Sequence, residues 1–152
     1  MEASSARSDE GGQIGGAEAV VFGVLVLVLG MLGAATAWAV VDTKMAAASA
    51  AREAARAYVE SDGSARAWDD AASRGREAFS GNGRDASRLQ LPRPAAGFDR
   101  CAPVTVVASA TLQLPRIPGV RAVARRVTVR ASHTEVVDPF RSGLGRGAHA
   151  CA

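Results

Sequence analysis

The chain has 152 residues, of which 48% are hydrophobic but only 5% aromatic, and its formal net charge is +3 at pH 7. Because aromatic side chains bury the largest areas, a core with so few of them must be thin and built from Ala, Val and Leu. This composition argues against a large enzyme with a deep pocket. The apolar run described next excludes an ordinary soluble cytosolic protein.

The strongest feature of the sequence is a run of 23 residues without a charge, residues 19–41, bounded by Glu18 and Asp42. As a helix rising about 1.5 Å per residue it would span roughly 34 Å, enough to cross a hydrocarbon core of about 30 Å. We therefore predict a short acidic segment over residues 1–18 and a transmembrane helix over residues 19–41. Three small residues in the run would let a neighbouring membrane helix approach closely, although membrane helices also tolerate glycine without such contacts. They are Gly23, Gly30 and Gly33.

A cleaved secretory signal is the alternative interpretation of the run, because small-residue cleavage patterns occur at residues 35–37 and 37–39. Signal peptides, however, have a basic start and an apolar stretch of roughly 7–15 residues. Here the preceding segment is acidic and the run is longer, so a retained membrane helix is the preferred interpretation.

The charges on the two sides of the run carry a weak orientation signal. Residues 1–18 have a formal side-chain charge of −3, and the residues after the run have +6, with Lys44, Arg52 and Arg56 close to the membrane. Taken alone, the positive-inside rule favours the C-terminal part on the cytoplasmic side.

The helix is predicted to continue beyond the run, because residues 42–60 contain no Gly or Pro and are rich in Ala, the best helix former. On a helical wheel the charged side chains cluster on one side: Arg52, Glu53, Arg56 and Glu60. The opposite side, here called the alanine face, comprises Ala47, Ala51, Ala54, Ala55 and Tyr58. This face could pack against the chain's own sheet or against neighbouring subunits, and the length of the helix slightly favours the second interpretation.

A short second helix and a small sheet are predicted next. We expect Ser64 to cap a helix that runs to about Phe79 and carries Trp68 and Phe79 inward. Alternation of period two then predicts strands over residues 103–114 and about 122–137, with a shorter one over residues 87–91.

These elements define the expected fold class as α+β. A single N-terminal transmembrane helix continues into a long α-helix, followed by a short second helix and a small antiparallel β-sheet. The expected domain covers residues 42–140, and residues 141–152 form a Gly-rich flexible tail.

Four segments occur in an order that resembles a known family. They are Glu18 before the apolar run, AAREAAR at residues 50–56, VTVVASATLQLP at residues 104–115 and ASHTEVVDPFRSG at residues 131–143. With these four segments in this order, the chain resembles the TadE-like pilus assembly proteins. These are membrane-anchored minor pilins or pseudopilins of tight-adherence (Flp-type) pili. The closing segment, with the excess of Arg over Lys and the high Ala content, is similar to actinobacterial members.

The resemblance implies a non-catalytic protein that assists pilus assembly by helix-mediated subunit packing. It implies a single-pass protein of the cell membrane with an extracytoplasmic C-terminal domain and a pilin-like fold, which opposes the weak charge signal. Implied partners are membrane lipid and other pilin or pilus-assembly subunits, with a prepilin peptidase as a further candidate. Alternative functions are a single-pass cell-envelope module with an extracytoplasmic binding domain unrelated to pili, or a secreted binding protein.

Three residues gain a role through this resemblance. In pilin-like proteins a carboxylate at the position of Glu18 pairs with a neighbouring subunit's N-terminal amine and sets the subunit register; a solvated charge marking the helix end is the alternative. Family members are cut after a Gly that precedes this Glu by five positions. Here Gln13 occupies that position and Gly12 lies one residue further away, so Gly12 and Gln13 are candidates for peptidase cleavage on an altered pattern.

The two cysteines, Cys101 and Cys151, are candidates for one disulfide that closes a loop of about 50 residues. Alternatively, Cys151 stays free or pairs between chains. No CxxC is present, which gives no indication of a redox or zinc motif. His133 and Glu135 share a strand face, but zinc sites need three or four ligands. We therefore expect no metal, no cofactor and no catalytic residue.

A cluster of arginines at the predicted strand of residues 122–137 raises the question of nucleic-acid binding. It comprises Arg121, Arg125, Arg126 and Arg130. The strand lacks stacking aromatics, and the chain has no helix-turn-helix or RNA-binding signature, so no nucleic-acid partner is expected. Anionic envelope polymers, acidic subunits or plain solvation of an Arg face are the alternatives.

Overall fold

The computed structural model describes residues 12–95, 97–114 and 126–144, with the side chains of residues 12–15 and 17 left out of that description. The chain divides into two compact units, Met1–Trp38 and Ala39–Ala152. The fold class is α+β, as predicted. The helices are α1 (Gly12–Val59) and α2 (Ala67–Gly81), a 3-10 turn covers Ala86–Arg88, and the strands are β1 (Leu89–Gln90), β2 (Pro103–Gln113) and β3 (Arg126–Val136).

The alanine face of α1 forms the centre of the second unit. Its four alanines are fully buried, and Tyr58 is 4% exposed. Helix α2 packs across this face at Gly75, where a Cβ atom would lie 3.0 Å from the Ala50 carbonyl oxygen and 3.0 Å from the Ala54 Cβ. The alanine face is therefore covered by the chain's own domain, and the interpretation that it packs against neighbouring subunits is wrong.

The sheet covers the helices with one of its two faces. Its strand order is β1-β2-β3, and both pairings are antiparallel. Along β2, the side chains that point toward the helices are buried, and they include Val104, Val106, Ala108 and Ala110. The alternate positions of β3, from Arg126 to Val136, are exposed. The period of two predicted for both strands is confirmed, and residues 115–125 lie outside the described ranges.

The start of α2 differs from the prediction that Ser64 caps it. The helix begins at Ala67 after Arg66, which makes no side-chain capping hydrogen bond. The Ser64 N–H instead donates to Asp62 Oδ1 at 2.9 Å, so this segment forms a side-chain-stabilised turn that ends before the helix begins. Phe79, predicted to point inward, is 2% exposed.

The short strand expected over residues 87–91 is also shorter than predicted. Residues 87–91 were expected to be extended, but Ala86–Arg88 forms a 3-10 turn and only Leu89–Gln90 pairs with β2. The reason is local, because the Asp85 carboxylate accepts hydrogen bonds from the Ser87 N–H at 3.0 Å and from its hydroxyl at 2.7 Å. A short polar side chain thus directs the backbone into a turn rather than a strand.

Candidate membrane anchor and assembly site

The apolar run in α1 is exposed over most of its length. The exposed large apolar side chains between residues 20 and 41 have exposed fractions from 49% to 74%. Leu32 and Val40 are half-buried, and Val40, near the end of the run, packs against the core of the second unit. Soluble proteins rarely expose a contiguous apolar surface of this size. Among the described residues, one helical segment, Glu18–Val59 of α1, is long and apolar enough to cross a membrane. The run is compatible with a single-pass transmembrane anchor.

The hydroxyl of Thr36, within the run, and that of Thr43, two residues beyond its end, are both hydrogen-bonded within the helix. Thr36 Oγ1 donates to the Leu32 carbonyl oxygen at 2.7 Å, and Thr43 Oγ1 donates to the Ala39 carbonyl oxygen at 2.7 Å. In a hydrocarbon environment, an unsatisfied hydroxyl would cost several kcal/mol. These internal hydrogen bonds remove that cost for both threonines.

The residues predicted to act in assembly lie in the first turns of α1. Gly12 is the first residue of the helix and Gln13 the second. The Glu18 side chain is exposed, and within the described ranges it takes part in no ion pair. Gln13 and Glu18 are five positions apart, which corresponds to a backbone rise of roughly 7.5 Å along the helix axis.

At the C-terminal end of α1, Arg141 caps the helix. Its Nη1 donates to the Val59 carbonyl oxygen at 2.7 Å and its Nη2 donates to the Glu60 carbonyl oxygen at 2.8 Å. The guanidinium also lies 5.8 Å from the centre of the Phe98 ring. A cation suits this position because helix C-termini expose unpaired carbonyls and partial negative charge. Arg141 belongs to the DPFRSG sequence, and its role was not identified from the sequence.

An aromatic cluster connects this cap to the core. The Tyr58 ring meets Trp68 edge-on at 5.6 Å between ring centres and Phe98 at 5.3 Å. Gly63, with φ at 71°, lies under the Phe98 ring, where a Cβ atom would come within 2.4 Å of Cδ1. Only glycine fits both that backbone conformation and that space. The cluster holds the segment that follows α1 against α1 and α2 within the second unit.

Replacing Arg141 with Gln is expected to lower the free energy of unfolding by about 2 kcal/mol, because two charge-assisted hydrogen bonds to helix carbonyls are lost. Urea denaturation of the full chain in detergent would measure this, with Trp68 fluorescence followed in a Trp38→Phe background. Arg93→Gln is the matched control, since Arg93 is exposed and makes no such bond in the described part of the chain. Equal losses in the two variants would contradict the capping role.

The charged side of α1 borders an open cleft of about 990 Å³ against α2, lined by groups that include Glu53, Glu60, Asp70 and Arg74. Its charges partly neutralise one another. Arg56 Nε lies 2.9 Å from Glu60 Oε1, and this hydrogen bond raises the pKa of Arg56. Both side chains are well exposed, so the pair contributes little to stability. The cleft is a solvated ion-pair surface.

His133 and Glu135, considered as metal ligands in the sequence, hydrogen-bond to each other, with Nε2 and Oε1 at 2.9 Å. Among the described residues, no group of three or more His, Cys, Asp or Glu is placed to hold a metal ion. Arg126 and Arg130 are exposed on β3. Arg121 and Arg125, the other members of the predicted arginine cluster, fall outside the described ranges.

Cys101 takes part in a disulfide bond. It occupies a turn with φ at 61°, and its backbone N–H donates to the Val137 carbonyl oxygen at 3.0 Å. Cys151 is not among the described residues, so the pairing of Cys101 with Cys151 stays a prediction. One end of the disulfide therefore lies where the turn before β2 meets the residue that follows β3.

Comparisons of the chain with protein-family models, with curated proteins and with solved structures found no match. The features of the chain that bear on function are therefore the exposed apolar run, the Cys101 disulfide and the sequence motifs. The site has two parts, each within its own unit: the membrane-compatible helix that carries Glu18, and the α+β domain closed by Arg141.

Proposed function

We propose that the chain is a single-pass membrane protein that takes part in pilus assembly as a non-catalytic, TadE-like minor pilin or pseudopilin. The observation that carries the proposal is the apolar run of α1, most of whose large apolar side chains are exposed. The order of the four motifs supports the assignment to pilus assembly. The small α+β domain then serves as the part that partners recognise.

An extracytoplasmic C-terminal domain is supported by the disulfide at Cys101. Disulfides persist in oxidising compartments and are rare in the reducing cytosol. The opposing charge signal is weak, because long domains cross the membrane largely regardless of their Lys and Arg content. The disulfide therefore outweighs the positive-inside rule in this proposal.

Subunit packing is assigned to the membrane segment, because the alanine face is already used inside the domain. Gly23, Gly30 and Gly33 are spaced by seven and three residues, which places them on one side of a helix. A Cβ atom added at each would meet no other atom within 4 Å. In lipid, such a side lets a second helix approach closely and gain van der Waals contact.

Glu18 supplies a directional element to this packing. A carboxylate at the membrane edge is costly unless it snorkels or pairs. In line with the resemblance to pilin-like proteins, its partner in this proposal is the N-terminal amine of a neighbouring subunit. One ion pair per interface would then set the axial offset between subunits.

N-terminal sequencing of the protein from membrane and medium fractions tests the anchor and its processing. We expect the membrane fraction to contain a chain that starts at Gln13. A start between residues 36 and 40, found in the medium, would identify a secreted protein and contradict the proposal. An intact N-terminus in the membrane would contradict pilin processing and leave an unprocessed assembly factor or an envelope module.

Glu18→Gln is expected to reduce co-purification of other pilus-assembly subunits about ten-fold in mild detergent, since an ion pair in a low-dielectric environment is lost. Glu53→Gln is the matched control, because Glu53 is exposed on the charged side of α1. Quantitative mass spectrometry of the co-purified subunits gives the readout. Unchanged recovery with Glu18→Gln would refute the register role.

A further inference from the structure

One end of the second unit adjoins the end of the apolar run. Thr43 follows the last apolar residue, Val41, by two positions, a rise of about 3 Å in a helix. Thr43 lines a small cavity of about 240 Å³ together with Arg84, Arg88 and Leu112. The groups around this cavity therefore lie near the bilayer surface when the run is in the membrane.

Four cations collect at this end, here called the membrane-proximal cations: Lys44, Arg84, Arg88 and Arg126. Arg84 and Arg88 line the cavity beside Thr43, and Lys44 is the exposed next residue of α1. Arg126 joins them through the sheet, because Leu112 pairs with Val127 and Gln113 pairs with Arg126. The end of β2 that lines the cavity is therefore paired with the start of β3, where Arg126 lies.

The acidic groups at this end do not match these cations in number. Arg84 forms an ion pair with Asp42, and Arg88 Nε lies 3.3 Å from Asp85 Oδ2. Within the described ranges, Lys44 and Arg126 form no ion pair. The opposite end of the unit carries both signs, because Arg56 pairs with Glu60 there and Arg100 donates to the Arg141 carbonyl oxygen.

We infer that the membrane-proximal cations contact the headgroup phosphates of anionic phospholipids in the leaflet that faces the domain. Phosphate oxygens accept charge-assisted hydrogen bonds from Lys and Arg, and an anionic bilayer attracts basic groups held beside it. The contact would fix the domain against the membrane surface. This inference rests on the proposed function only in requiring that the apolar run stays in the membrane, and it holds for either side of the membrane.

The test uses the full chain in nanodiscs of phosphatidylcholine with or without phosphatidylglycerol, followed by native mass spectrometry of the lipids that stay bound. The wild type is expected to retain phosphatidylglycerol in preference to phosphatidylcholine. Lys44→Gln/Arg126→Gln should lower this preference at least five-fold, because each cation beside an anionic surface contributes roughly a factor of five. Both side chains are exposed and outside ion pairs, so the fold is expected to tolerate the change.

Arg66→Gln/Arg74→Gln is the matched control, since both arginines are exposed and line the cleft between α1 and α2. It should leave the preference unchanged, and an equal drop in both double variants would overturn the inference. Hydrogen exchange of residues 84–88 gives a second readout, and phosphatidylglycerol should slow it. The same slowing by inorganic phosphate in phosphatidylcholine nanodiscs would assign the site to a free anion and overturn the lipid contact.

Failure of the anchor and failure of the lipid contact give different results. A chain that enters nanodiscs but shows no preference for phosphatidylglycerol overturns the contact and leaves the anchor intact. A wild-type chain that does not enter nanodiscs overturns the anchor, and the lipid contact with it.

Discussion

Gly75→Leu is expected to destabilise the second unit by about 3 kcal/mol or more, because the added side chain has no space where α2 crosses α1. A Cβ atom alone would lie 2.9 Å from Leu91 Cδ1 and 3.0 Å from both the Ala50 carbonyl oxygen and the Ala54 Cβ. The Leu91 side chain can move, but the Ala50 backbone can yield only if α1 and α2 separate. Gly75→Ala should cost less, because the contact is partly offset by a helix-propensity gain of about 1 kcal/mol.

Gly81→Leu is the control for this series. Gly81 ends the same helix, and a Cβ atom there would meet nothing within 4 Å. Urea denaturation of the full chain in detergent, followed by Trp68 fluorescence in a Trp38→Phe background, would measure all three variants. A loss for Gly75→Leu no larger than that for Gly81→Leu would show that the two helices do not need this close contact.

Cys101→Ser is expected to lower the free energy of unfolding under oxidising conditions by about 4 kcal/mol, the chain-entropy value for a loop of about 50 residues. Serine keeps the size of the side chain, and the left-handed backbone at φ 61° stays equally strained, so the comparison isolates the disulfide. The same urea titration measures the loss. The wild type treated with a reductant should show a similar decrease.

Cys151→Ser identifies the partner of Cys101. If the two cysteines pair within one chain, the single variants and the double variant should lose the same stability, because the effects of two ends of one bond do not add. Disulfide-linked dimers on a non-reducing gel would instead show pairing between chains. A fully stable Cys151→Ser variant would contradict the intramolecular bond.

Much of the fold follows from residue patterns along the chain. The wheel of residues 42–60 separates a charged side from the alanine face, and the structure buries the predicted side. Alternation along β2 and β3 correctly identifies which side chains face the helices. Both patterns are periodic and local, so they can be recognised in the sequence without knowledge of tertiary contacts. What covers the alanine face was left open, because a smooth apolar surface fits a helix, a sheet or a second chain equally well.

The features that were missed depend on short side chains or on distant contacts. Ser64 has the composition of a helix cap, but Asp62 accepts its N–H and completes a turn first. Arg141 caps α1 from 82 residues away, and no local pattern indicates such a partner. From the sequence, Gly75 is expected only to lower the stability of α2, whereas in the structure it allows α2 to pack closely against α1. Of the candidate site, the apolar run could be recognised from the sequence alone, whereas the membrane-proximal cations are brought together only by folding.

The alanine face also has a consequence for biosynthesis. Residues 46–59 leave the ribosome before the strands that cover them, and synthesis at roughly 5–20 residues per second delays that cover by several seconds. A face of Leu or Phe would expose a large adhesive surface to chaperones and other nascent chains during this interval. Each alanine methyl group buries little apolar area, so the uncovered helix gains little free energy by binding to other chains. A core made of alanine therefore suits a chain whose first helix must stand uncovered while the rest is still being made.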